Sequence, residues 1–276
     1  MSTTKNLQFV AKDLSTDAVL LLTFDGEQQG IYSDFFPVAY KVIHFASQGA
    51  YTAQADFTSQ IAFSAVDVQS GNVLPAKAYV QIAQGQHTRL FQENGALHFS
   101  TPTTLDDDTK KQLSLIGVLE EAVEAAINVP VKLIGAAANA LTGAKPAANP
   151  QKTKTVSVVA TNDTGSVQTI ALGTHFTPSA MSPANNTTWI IDVVYSHGIK
   201  QPLTVFPDVG HGKSVATKFN SKLRAYVTSE YKESSIIRGP VQSPLILDVD
   251  ILQLGASTVF QLKYDSASGQ FTLIKE

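Results

Sequence analysis

Short apolar runs, each closed by turn chemistry, recur from Leu7 to Phe99 and again from Val156 to Ile274, and one stretch of helical periodicity separates them. A chain punctuated in this way roughly every ten residues builds sheets from many short strands. In the first part, Leu7–Ala11 and Ala18–Phe24 are rich in Val, Leu and Phe, and the polar run from Lys12 to Asp17 divides them. Asp25-Gly26 is a further turn signal. Val38–Phe45, Tyr79–Ile82 and Ala96–Phe99 read as strands, and Ile61–Val68 reads as a half-buried strand alternating apolar and polar faces. In the last part, Val156–Ala160, Val167–Leu172, Trp189–Tyr195, Leu203–Phe206, Leu223–Val227, Leu245–Leu252, Val259–Leu262 and Phe271–Ile274 read as strands. Tyr264–Gln270 reads as a hairpin connection.

Between these parts the period changes. Leu113, Ile116, Leu119, Val123 and Ile127 recur every three or four residues, behind a start that carries Asp106, Asp107 and Asp108. Acids there suit the positive end of a helix, and Thr104 or Asp106 can cap it. Pro130 interrupts the stripe, an Ala-rich piece continues to Leu141, and 144–150 reads as a solvated connector. The fold expected is therefore mainly β: two β-sandwich-like halves joined by an amphipathic helical segment at 105–142. The boundaries expected are 1–103, 104–152 and 153–276. Phe9–Asp13 followed by Val19–Leu22 resembles Val158–Asn162 followed by Val167–Leu172, so the halves are expected to be a tandem repeat.

Composition removes several kinds of function. The chain has no cysteine, so disulfides, thiolate nucleophiles and zinc–thiolate sites are excluded. Its formal net charge is −3, with 16% charged residues, so nothing global draws it to nucleic acid. Seven bases between Lys200 and Arg238 read chiefly as ordinary solvated surface. No apolar leader follows Met1 and no run of 18 apolar residues occurs, which leads to the expectation of a cytoplasmic protein.

Motifs for chemistry are scarce. Asp208–Ser214 ends in Gly-Lys-Ser, but Pro207 stands where a phosphate-binding loop needs its first glycine, and no helical pattern follows. The histidines are His44, His87, His98, His175, His197 and His211, and none pairs at a metal-ligand spacing. There is no Gly-x-Ser-x-Gly elbow. The acidic groups at 106–108 and 120–121 read as a helix start and a polar face. No catalytic residue, metal ligand or cofactor is assigned. The lone Trp189 stands where an Asn-rich loop enters a strand, and a flat indole face matches the C–H face of a sugar ring. Asn185, Asn186, Trp189, Asp192, His197, Asp208 and His211 are the candidate ligand-binding residues.

The functional expectation is a non-enzymatic intracellular binding protein, lectin-like or defence-related, with a glycan or small molecule as ligand and no nucleic acid. A membrane-active protein inserting 105–142 is one alternative, and a metal-dependent enzyme with strand-borne histidines is another. A homo-oligomer is compatible with either binding role.

Overall fold

The structure is a computed structural model describing residues 4–26, 30–106, 127–130, 158–176, 199–217 and 219–276, with side chains omitted at 127–130, 175–176 and 199–200. In chain order the strands are β1 (Thr4–Lys12), β2 (Ala18–Thr23), β3 (Phe36–Pro37), β4 (Ala39–Phe45), β5 (Ala50–Thr58), β6 (Ile61–Val66), β7 (Val68–Gln69), β8 (Asn72–Val73), β9 (Ala78–Ile82), β10 (Gln86–Glu93), β11 (Ala96–Phe99) and β12 (Thr103–Thr104). Then come β13 (Ile127–Pro130), β14 (Val158–Asn162), β15 (Gln168–Phe176), β16 (Ile199–Val209), β17 (Lys213–Thr217), β18 (Lys222–Val227), β19 (Leu245–Asp250), β20 (Ser257–Asp265) and β21 (Gln270–Lys275). Among the described residues the sole helical element is the short 3-10 turn Ile251–Gln253, so the chain is mainly β.

Four larger sheets result. Their strand orders are β21-β20-β1-β5, β19-β18-β2-β4, β11-β10-β14-β17-β13 and β3-β16-β15-β6-β9. Every one draws strands from both sides of the 104–152 segment. Strands from before residue 104 and strands from after residue 152 thus share each of these sheets.

Two apolar cores follow from the alternation of side chains across each strand. In the first, Leu7 and Phe9 of β1, Leu20 and Leu22 of β2, Leu223 and Ala225 of β18, and Phe260 and Leu262 of β20 are buried together. The rings of Phe9 and Phe260 stack at 5.5 Å across the parallel β1–β20 seam. In the second, Phe63 of β6, Leu90 of β10, Ala160 of β14, Ile170 and Leu172 of β15, and Val215 of β17 meet. Phe219 packs against both.

Two expectations change here. β6 is not half-buried but buried along its whole length, because β15 and β9 flank it and apolar layers cover both faces. Ala62 and Ser64, the residues read as its polar side, are small enough to lie under such a layer. The second change concerns the expected helical segment. Of 105–142, the described residues are 105–106 and 127–130, and 127–130 is a strand pairing antiparallel with β17. Ile127 therefore belongs to a strand and not to a helical stripe. Pro130 is compatible with that place, since β13 is an edge strand where a missing N–H breaks no ladder between neighbours. The remainder of 105–142 lies outside the described residues.

Candidate functional site

The sequence-derived candidates separate into two groups. Asn185, Asn186, Trp189, Asp192 and His197 lie outside the described residues. Asp208 and His211 are exposed, Asp208 near the end of β16 and His211 on the connection that carries the chain from β16 in one sheet to β17 in another. That connection is fastened to the turn after β14. His211 Nδ1 accepts from the Gly165 N–H at 3.2 Å, and the Gly212 N–H donates to the Asn162 carbonyl at 2.6 Å. Asn162 itself is fully buried; its Nδ2 donates to the Ser166 and Val209 carbonyls, and its Oδ1 accepts from Thr164. His211 thus helps fasten a corner. Ser214 lies in strand β17 with its hydroxyl 2.8 Å from that of Thr161, so the Gly-Lys-Ser sequence opens a strand and not the helix a phosphate cradle requires.

The remaining described histidines are apart from one another. His44 is exposed on β4, His87 Nδ1 lies 3.2 Å from the Thr103 hydroxyl, and the His98 ring lies against Phe91. Among the described residues no group of three His, Asp or Glu side chains is placed to hold a metal ion.

The most unusual chemistry lies elsewhere, at the end of β2. The apolar run Ala18–Thr23 carries the chain along a central strand, and Phe24 continues into the first core. Asp25 follows at once and is only 3% exposed. β18 runs beside β2, with Arg224 opposite Thr23 and Tyr226 opposite Leu21. Leu223, Ala225 and Val227 face the core, so Arg224 and Tyr226 share the other face of the sheet. The Tyr226 hydroxyl donates to Asp25 Oδ2 at 2.9 Å, and Arg224 donates to the Asp25 carbonyl at 3.3 Å. Arg224 also reaches Asp248 Oδ2 at 3.2 Å, from the neighbouring β19. Tyr32 and Tyr231, from two loops, pack on the apolar cluster formed with Leu21, Ala39, Tyr226 and Ile237. Tyr32 holds a φ of +68°, unusual for a bulky side chain. Close behind is Gly26, where any Cβ would meet the Asn220 amide nitrogen at 2.5 Å.

Burial governs the electrostatics of this group. It raises the Asp25 carboxyl above its ordinary pKa, against the opposing pull of the Tyr226 hydrogen bond and the Arg224 charge. Burial and then the Asp25 charge push Tyr32 up to about 12, and the same two causes raise Tyr226. Burial also raises Tyr231. For Arg224 burial works the other way, but Asp25, Tyr226 and Asp248 outweigh it and hold the guanidinium above its usual value.

One polar atom in the group stands out. Asp25 Oδ1 is buried and has no hydrogen-bond partner among the described residues. Leaving such an atom unsatisfied costs about 1–3 kcal/mol, and more when it is charged. An incoming O–H or N–H donor is what this arrangement lacks. In the sequence Asp25-Gly26 reads as a plain turn; the available signal was a carboxylate directly behind an apolar strand, matched by Arg224 and Tyr226 alternating with Leu223, Ala225 and Val227.

Comparison with known proteins finds no significant match: no family model, no curated relative and no solved structure is similar to this chain.

Proposed function

We propose that this protein is a non-enzymatic binding protein, lectin-like in its chemistry, whose ligand donates hydrogen bonds to the Asp25 carboxyl. The observation behind the reading is the buried Oδ1 of Asp25, unpartnered among the described residues, with its sister oxygen fixed by Tyr226. A carboxyl with one oxygen held by a hydroxyl and the other lacking a donor matches the vicinal hydroxyls of a saccharide or polyol. Tyr32, Tyr226 and Tyr231 supply apolar ring surface next to it, the combination of flat apolar and polar contact that sugars require. On this reading the chain is two sandwich-like units that are copies of one another.

A glycan array followed by calorimetry tests the reading. Binding in the micromolar range is expected, weakened about tenfold or more in Asp25→Asn, since a hydrogen bond to a charged acceptor contributes about 1.5–3 kcal/mol. Absence of binding across the array, or equal binding by Asp25→Asn, would overturn it. Neither membrane insertion by 105–142 nor metal chemistry on strand histidines has a comparable observation behind it. Among the described residues no helix is long and apolar enough to cross a membrane.

A further inference from the structure

The pairing scheme of the first half recurs in the second. Set aside β3, β7, β8, β12 and β13, and among the described residues eight strands remain on each side of residue 131, in the order β1, β2, β4, β5, β6, β9, β10, β11 and then β14 to β21. Within the first eight, β1 pairs β5, β2 pairs β4, β6 pairs β9 and β10 pairs β11, all antiparallel. Within the second eight, the strands at the same places pair in the same way: β14 with β17, β15 with β16, β18 with β19 and β20 with β21.

The pairings between the two sets are reciprocal. The first strand of each set runs parallel to the seventh of the other, as β1 with β20 and β14 with β10. The second strand of each runs antiparallel to the fifth of the other, as β2 with β18 and β15 with β6. A fine detail repeats as well. The β2–β4 ladder slips between Leu22 and Thr23, and the β15–β16 ladder slips between Leu172 and Gly173, at the corresponding step. The residues before the slips, Leu20 and Leu22, and Ile170 and Leu172, enter the first and second cores respectively.

Contacts in which strand i of one unit meets strand j of the other, and j meets i, are the mark of a twofold interface between identical subunits. We infer that the chain is two copies of one eight-strand unit joined head to tail, and that the surface between them is a homodimer interface carried within a single chain. The partner each unit fits is a second copy of the same unit. Neither unit closes its own sheets, because its first and second strands lie between a strand of its own and a strand of the other.

The copies have diverged where the polar group lies. Register places Ala62, Ser64 and Gln81 at the positions that Arg224, Tyr226 and Asp248 hold in the other copy. A duplicated unit with one polar face thus contains the Asp25 group once.

The absence of cysteine makes the inference directly testable. Val10 lies beside Gln261 in the β1–β20 pair, and Val159 lies beside His87 at the equivalent step of β14–β10. Neighbouring strands about 4.8 Å apart are within disulfide reach. Two variants are made in the full chain, Val10→Cys with Gln261→Cys and His87→Cys with Val159→Cys, each with a protease site introduced at 144–150. After oxidation and cutting, both are expected to run as a single band without reductant and as two bands with it. Two bands without reductant in either variant would overturn the reciprocal exchange, and so would formation of one bond without the other. Hydrogen exchange on the cut chain without the cysteines is the second measurement. Protection of β1, β10, β14 and β20 is expected to survive the cut, and its loss in any of them would overturn the inference independently of how the cysteine variants fold.

Discussion

A buried carboxyl with an oxygen lacking a donor destabilises the fold that contains it, so Asp25 sets stability against binding. Its pKa is raised in the folded chain. The folded state therefore holds the proton where the unfolded state has lost it, and stability falls as pH rises from the ordinary carboxylate range through the raised value. Asp25→Asn is expected to melt higher than the natural protein at pH 7, with the gain vanishing in acid below the ordinary aspartate pKa, while ligand binding weakens. A variant melting lower at pH 7 would contradict this. Tyr226→Phe acts in the opposite sense, removing the donor on Oδ2, and is expected to cost about 1.5–3 kcal/mol in chemical denaturation at neutral pH. Combined with Asp25→Asn, the cost should shrink toward that of a neutral hydrogen bond, about 0.5–1.5 kcal/mol. None of this is legible from Asp25-Gly26 alone, because local turn chemistry says nothing about Arg224 and Tyr226, some two hundred residues away. At His211 the sequence marked an exposed loop, and the structure adds its bond to Gly165.

Among the elements, strand existence was far more legible than strand burial. The runs at Leu7–Ala11, Leu223–Val227 and Val259–Leu262 lie in strands, as does Ala18–Phe24 apart from its last residue, and Tyr264–Gln270 does turn a hairpin, with Gly269 at a φ of +70° and Asp265 accepting from Ala267 and Ser268. On β6 the alternation of large and small residues resembles alternation of apolar and polar ones, and only the neighbours β9 and β15 decide which it is. Phe63 on that strand is fully buried, so Phe63→Ala is expected to destabilise by about 3–5 kcal/mol, measured by urea unfolding. The Asn162 corner offers a contrast. Asn162→Ala strips the buried Val209 carbonyl of its side-chain donor and is expected to cost about 1–3 kcal/mol, whereas exposed His211→Ala should stay within about 1 kcal/mol. The spacing of Ile127 extends the 113–123 stripe and predicts a helix; pairing with β17, a long-range contact, decides otherwise.

For the whole molecule, local pattern supplied the β character but not the way the sheets are shared. Strand runs carry no label saying which distant strand they will meet, and the parallel seams β1–β20 and β10–β14 join residues far apart in sequence. The weak likeness between Phe9–Leu22 and Val158–Leu172 pointed to corresponding strands, but it could not indicate that they exchange partners. The consequence is energetic. The first core takes Leu7 and Phe9 from one side of the chain and Leu223 and Phe260 from the other, and the second takes Phe63 and Leu90 with Ala160 and Leu172. Removing either half would leave both cores open, so the halves should not unfold separately. Calorimetry of the intact chain tests this most directly. One transition is expected, with the calorimetric enthalpy equal to the van't Hoff enthalpy. Two resolved transitions, one belonging to residues 1–103 and one to 153–276, would contradict it.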